Sequence, residues 1–210
     1  MEFFKQEDLH KDLAHYITNV NGIGKCLKHP LVFSIPYDKI MNSYLNKIYK
    51  YKLELLKGPV KYTNIFLYER PFRWTTLYSM KEKLDTTSYW TAFKDVWVDS
   101  ENISECIDTI KKLMVYKKHG KIAKKILIDK SIDNISGEKI VIYRGSQNNE
   151  LGHGFSWSTD KEKALWFANR FSRNGKLFTG EVLKKDIFAY ILDRGESEII
   201  VDYRKVMIHT

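Results

Sequence analysis

The hydrophobic period of the chain changes at Gly137. Before it, apolar residues recur at helical spacing; after it they fall into short runs with two-residue alternation, the pattern of half-buried strands. A chain that places its helices first and its strands afterwards reads as α+β, with a helical N-terminal region over 1–110 and a mixed or antiparallel β region over 111–210. No Pro/Ser-rich linker, low-complexity tract or internal repeat separates the two, so they are expected to pack as one compact unit.

Within the first region, residues 3–20 and 38–57 fit amphipathic helices. Leu9, Leu13, Tyr16, Ile17 and Val20 fall on one face of the first; Ile40, Met41, Tyr44, Leu45, Ile48 and Leu55 fall on one face of the second. Asn21-Gly22-Ile23-Gly24 marks a turn, Pro30 and Pro36 punctuate a loop, and Gly58-Pro59 stops the second helix. From 60 to 100 the chain is dense in aromatics, including Tyr68, Trp74, Tyr89, Trp90, Phe93 and Trp97. Such density suits either a base-stacking platform or a core, and the lack of interleaved basic residues at a regular pitch favours the core. A helix over 99–118 is expected to start at the capping-competent Asp99-Ser100-Glu101-Asn102.

Beyond Gly137, strands are expected at Ile140–Arg144, Gly154–Ser158, Gly180–Leu183, Ile187–Leu192 and Glu198–Val201. A helix over Asp160–Phe171, capped by Thr159/Asp160, would bury Ala164, Leu165, Phe167, Ala168 and Phe171.

Composition narrows the classes. With 210 residues and 43% hydrophobic content, the chain can bury a core without covalent or metal staples. Cys26 and Cys106 stand far apart with no ligand spacing, and the six histidines are scattered, so buried or half-buried thiols and no metal are expected. No apolar run approaches the ~20 residues of a membrane span, and the first residues lack a secretory pattern, which points to a cytoplasmic protein with no membrane partner. The net charge of +9 is uneven: 1–105 holds 15 Lys+Arg against 13 Asp+Glu, and 106–210 holds 20 against 13. The lysine run 111–125, broken at Gly120, reads as a solvated face, with a nucleic-acid or acidic-protein contact as its alternative.

Three segments could carry chemistry. In Val141-Ile142-Tyr143-Arg144-Gly145, an arginine ends a hydrophobic strand, where a guanidinium can clamp a phosphate or ribose and the glycine admits a ligand close to the backbone. In Gly154-Phe155-Ser156-Trp157-Ser158-Thr159, alternation sets Ser156 and Ser158 on one face and Phe155 and Trp157 on the other. In Arg194-Gly195-Glu196-Ser197-Glu198-Ile199-Ile200-Val201, both carboxylates share a strand face, and a fixed carboxylate stabilises an oxocarbenium-like sugar as its glycosidic bond breaks. Singly, each is common in structural roles.

In this order, the three segments resemble the NAD-dependent mono-ADP-ribosyltransferases of the arginine–serine–glutamate class, over about residues 138–205. The resemblance implies an ADP-ribosyltransferase-like core with NAD as substrate. Arg144 would contact the NAD phosphate and ribose, Gly145 would hold the nicotinamide amide, and Ser156 with Ser158 would brace the site. Glu198 would touch the nicotinamide ribose and Glu196 would engage the acceptor. Arg170, Phe171 and Arg173 would form the loop covering the NAD phosphates and nicotinamide.

The chain departs from the pattern at Trp157, where a threonine is usual, and the loop before Glu196 has no aromatic. The whole chain also resembles small transferase-like proteins of bacteriophage and prophage genomes, implying modification of a host component or countering of a host defence. The expected acceptor is a macromolecule, an arginine of a host protein first and nucleic acid second. An NAD glycohydrolase and a non-catalytic binding module on the same fold are the rival readings.

Overall fold

The computed structural model describes residues 8–101, 103–147, 154–171 and 175–209. The chain is mixed α+β with antiparallel sheets and divides into two compact units, 1–117 and 118–210, rather than at 110/111.

The first unit is not purely helical. Of the helix expected over 3–20, residues 3–7 lie outside the described residues; helix α1 covers Lys11–Ala14, and Ile17–Val20 instead forms a strand, β1, which pairs with β2 (Gly24–His29); β2 in turn pairs with β3 (Val32–Ser34). The pairing Ile17↔Leu27 to Val20↔Gly24 is antiparallel and closes on Asn21-Gly22, with Gly22 at φ 78° and Gly24 at φ 93°. β-branched Ile17, Thr18 and Val20 ahead of an Asn-Gly pair are hairpin chemistry, and it prevails over the helical spacing of the same apolar residues.

Helix α2 (Asn42–Leu56) forms within the expected 38–57, and half of the expected face is inward, with Leu45 buried and Met41 and Ile48 packed on the core; the stripe also takes in Asn42, Asn46 and Tyr49, while Ile40 ahead of the helix is 70% exposed and Tyr44 and Leu55 are also exposed. The buried amides are satisfied. Tyr37 Oη donates to Asn42 Oδ1 at 2.7 Å, His10 N to Asn46 Oδ1 at 2.7 Å, and Asn46 Nδ2 to the Asp8 carbonyl at 2.9 Å. Hydrogen-bonded asparagines can thus replace apolar residues on a buried stripe.

Helices α3 (Arg73–Met80), α4 (Thr86–Asp99) and α5 (Ile107–Tyr116) complete this unit. Asp85 caps α4 by accepting from Thr87 N and Ser88 N at 2.8 and 2.9 Å. The aromatic density is core, as expected: Trp74, Tyr89, Trp90, Phe93 and Trp97 are buried, with Trp74 edge-on to Phe93 at 5.2 Å.

In the second unit, α6 (Lys121–Leu127) starts after Gly120. Strands β4 (Lys139–Ser146), β5 (Ser156–Ser158), β6 (Lys176–Leu183), β7 (Ala189–Ile191), β8 (Glu198–Ile200) and β9 (Met207–His209) form one sheet in the order β7-β8-β5-β4-β6-β9, every pair antiparallel. β4 and β6 pair along their whole length, Lys139↔Leu183 to Ser146↔Lys176. Ile140, Ile142, Trp157, Val182, Tyr190 and Ile199 build the core on one face.

Helix α7 (Lys161–Asn169) is capped by Asp160, which accepts from Lys163 N at 3.1 Å. It buries only Ala164 and Ala168. Leu165 is exposed, Phe167 is half-buried and Phe171, past the helix end, is 78% exposed, against expectation. The reason is the closeness of α7 to β4: a Cβ at Gly145 would strike the Ala164 carbonyl oxygen and the Ala168 amide, so small residues on both elements define the contact and larger ones are turned out.

Both cysteines are free thiols, Cys26 buried and Cys106 half-buried. Among the described residues, no helix is long and apolar enough to cross a membrane, and no group of three or more His, Cys, Asp and Glu side chains could hold a metal ion.

Candidate active site

Three adjacent strands, β4, β5 and β8, supply most of the residues singled out in the sequence. Tyr143 lies opposite Ser158 and Ser158 opposite Glu198, so these three positions share one face; Trp157 and Ile199, between them, enter the core on the other. The alternation expected for Ser156-Trp157-Ser158 is therefore present. With Trp157 turned away, the tryptophan occupies no space beside the two hydroxyls, and its indole nitrogen donates to the Gly154 carbonyl at 2.9 Å.

The serines hold the carboxylate segment in two ways. Ser156 Oγ donates to Glu198 Oε1, reaching diagonally across the strand pair, since Ser156 itself lies opposite Ile200. Ser158 Oγ donates to the Glu196 carbonyl at 2.7 Å and accepts from Asp160 N at 2.9 Å, tying the turn before β8 to the start of α7. Thr159 N adds a bond to the Ser197 carbonyl at 3.1 Å. This turn runs through left-handed backbone at Arg194 (φ 64°), Gly195 (φ 63°) and Ser197 (φ 44°), two of them non-glycine residues that such a conformation disfavours.

Arg144 is not at a strand end; β4 continues to Ser146. By alternation it shares the side of Ile140 and Ile142, and its guanidinium Nη1 donates to the Ser156 carbonyl at 2.7 Å at the start of β5. Gly154 makes room for it, because a Cβ there would run into the guanidinium. Gly145 turns out to serve packing: its side-chain position faces α7 and not open space, although its backbone still borders the pocket described next.

A pocket of about 250 Å³ gathers Arg144, Gly145, Ser156, Ser158, Arg170, Phe171, Glu196 and Glu198. Arg170 stands between two rings, its guanidinium carbon 5.2 Å from the Trp166 centroid and 4.9 Å from that of Phe171, a cation–π arrangement. Arg173 lies outside the described residues. Tyr143, Gln147, Trp157, Ala164 and Phe167 complete the lining. Sequence reasoning missed Tyr143, Gln147 and Phe167 as site residues. None of the three was legible: alternation sets Tyr143 on the side opposite Arg144, and only the register with Ser158 brings it to the serine face, while Gln147 and Phe167 carry no signal without the fold.

The pocket is bipolar. Its carboxylates come from β8 and the turn before it and its aromatic rings from β4 and the α7 segment; Arg170 lies at the end of α7, and Arg144 borders the pocket from β4 with its guanidinium on the Ser156 carbonyl. It suits a ligand that is anionic in one part and develops positive charge in another. The chain matches no protein-family model, no curated protein and no solved structure.

Proposed function

We propose that the protein is an NAD-dependent mono-ADP-ribosyltransferase and that residues 118–210 form an ADP-ribosyltransferase-like core. The observation that carries the reading is the convergence of Arg144, Ser156, Glu196 and Glu198, drawn from distant parts of the sequence, on one pocket, with the Ser156 hydroxyl bound to the Glu198 carboxylate.

The chemistry of the lining fits NAD. At about 250 Å³ the pocket is below the roughly 300–1,000 Å³ of a full small-molecule site, so it takes the nicotinamide-ribose end, with the diphosphate at its cationic edge. Arg144 and Arg170 supply guanidinium groups for phosphate oxygens, and Tyr143, Phe167 and Phe171 offer faces for the nicotinamide ring. As the bond from ribose C1″ to the nicotinamide nitrogen breaks, its electron pair goes to the ring, which leaves neutral, and positive charge develops on the ribose. A carboxylate beside that charge, oriented by Ser156, lowers the barrier. Glu196 lines the same pocket and orients the incoming nucleophile, an arginine of a host protein before any other acceptor.

The test is incubation of the chain and its Glu198→Gln variant with labelled NAD and a bacterial lysate. Expected are nicotinamide release and label in a macromolecular fraction, both reduced on the order of 10²–10³-fold by the substitution. Nicotinamide release with only free ADP-ribose would assign a glycohydrolase, and no NAD turnover or binding would leave the fold as a binding module.

A further inference from the structure

The first unit has a pocket of its own, about 430 Å³ in volume, within the roughly 300–1,000 Å³ of small-molecule sites. Strand β3 contributes Phe33, the turn into α3 contributes Glu69, Arg70 and Pro71, and α3 itself contributes Arg73 and Trp74. Two of the charges on its wall are already spent. Glu69 accepts from Lys52 Nζ at 2.8 Å, and Arg73 donates to Asp99 and, from Nε, to the Tyr68 carbonyl at 3.0 Å. Arg70 is spent only in part: it reaches Asp99 at 3.4 Å and Glu101 at 3.5 Å, both longer than a charge-assisted hydrogen bond, and it shares Asp99 with Arg73. Glu105 lines the same pocket and has neither an ion pair nor a hydrogen bond among the described residues.

The two unspent groups carry opposite signs. A purely anionic or purely cationic ligand would desolvate one of them without giving it a partner, whereas a zwitterion answers both. The Phe33 and Trp74 rings and Pro71 add apolar wall that suits a flat side chain. We propose that this pocket binds a free aromatic α-amino acid, with its carboxylate on Arg70, its ammonium on Glu105 and its ring against Phe33, Pro71 and Trp74. Arg73, whose side chain is 15% exposed, stays with Asp99. Burial first, and then the neighbouring Arg70 charge, hold its pKa below the usual guanidinium range, so a carboxylate that neutralises Arg70 also relieves a repulsion. All of these residues belong to the first unit, and the inference stands apart from the transferase reading of residues 118–210.

Cys106 lines the pocket and is half-buried, whereas Cys26 is fully buried, so a single thiol reports on occupancy. The experiment follows maleimide labelling of Cys106 and the melting temperature of the purified full chain as L-phenylalanine or L-tryptophan is titrated, with phenylacetate and phenethylamine as the anionic and cationic halves of the first. Expected are a saturable slowing of labelling and a parallel rise in melting temperature with the amino acids, and effects roughly tenfold weaker or less with either half. Arg70→Gln and Glu105→Gln should each move the titration to roughly tenfold higher concentration or beyond, while the ligand-free melting temperature stays nearly unchanged. Phenylacetate or phenethylamine acting as strongly as L-phenylalanine would define a simple anion or cation site and overturn the inference. So would labelling and melting that neither amino acid changes, or variants that titrate like the parent chain.

Discussion

Ser156 donates its hydroxyl proton to Glu198 across the β5–β8 strand pair, although its direct partner in the register is Ile200. The diagonal contact holds one carboxylate oxygen and so sets which way the other faces in the pocket. Ser158, directly opposite Glu198, spends its hydroxyl on the Glu196 carbonyl instead. The two serines therefore divide their work: one holds a side chain, the other a backbone turn.

That division predicts different outcomes for the two alanine variants. Ser156→Ala removes one hydrogen bond from a half-buried carboxylate that water can partly re-solvate, and should lower kcat/KM for nicotinamide release by roughly 10–100-fold, with a fall of at most a few degrees in melting temperature. Ser158→Ala releases the turn and the start of α7, and should lower the melting temperature as well as turnover. Calorimetry beside a nicotinamide assay reads both, and equal behaviour of the two variants would contradict the assignment.

Two glycines at the pocket invite a second comparison. At Gly145 an added Cβ meets the backbone of α7, which cannot yield without moving the helix, so Gly145→Ala should destabilise the second unit by about 1–3 kcal/mol in urea unfolding. At Gly154 the obstacle is the Arg144 guanidinium, the far end of a flexible side chain. Gly154→Ala should leave stability nearly intact and weaken NAD binding by displacing Arg144 from the Ser156 carbonyl. Titration calorimetry with NAD on the folded variant checks it; unchanged affinity would remove Arg144 from the binding role.

The buried amide of Asn46 supports a third prediction. Asn46→Leu extends the apolar stripe of α2, yet it leaves the His10 amide and the Asp8 carbonyl without their partner, a loss of roughly 1–3 kcal/mol. Denaturant unfolding should show a less stable protein, and a stabilised variant would mean that burial of the leucine outweighs both bonds.

Asn46 also shows where the sequence was readable. The strands beyond Gly137 and the alternation of Ser156-Trp157-Ser158 were legible because burial there follows residue type, and α2 was legible as a helix within 38–57 from Leu45 and Ile48. The full inward face of α2 was not, since asparagines replace apolar residues on it. Strand β1 was disguised because Leu13, Ile17 and Val20 satisfy a helical period by coincidence, and the decisive signal was local: β-branched residues ahead of Asn21-Gly22. In α7 the apolar count misled for a third reason. A contact made by Ala164, Ala168 and Gly145 selects for smallness, so Leu165 and Phe171 face solvent and Arg170 is left between two rings at the pocket.

Histidine burial gives the pH dependence of stability. His119 sits against the Phe188 ring at 4.5 Å and donates from Nε2 to the Phe188 carbonyl at 2.8 Å. Burial holds its pKa below the ordinary 6.5 despite that hydrogen bond, and the nearby Lys124 adds to the depression. His29 is likewise lowered by burial, against the opposing pull of Asp12, and its Nδ1 accepts from Leu31 N at 3.1 Å, a bond that protonation of that nitrogen would break. In both cases the unfolded chain takes the proton first on acidification. The stabilisation is therefore fully present above about pH 6.5 and is lost as the pH falls from there toward the depressed folded values. His119→Gln keeps a side-chain N–H donor and does not titrate, so urea unfolding from about pH 8 to 5 should show the gap between wild type and variant narrowing below about 6.5. A gap that widens on acidification would mean that His119 is protonated more readily in the folded protein, the opposite of what its burial dictates.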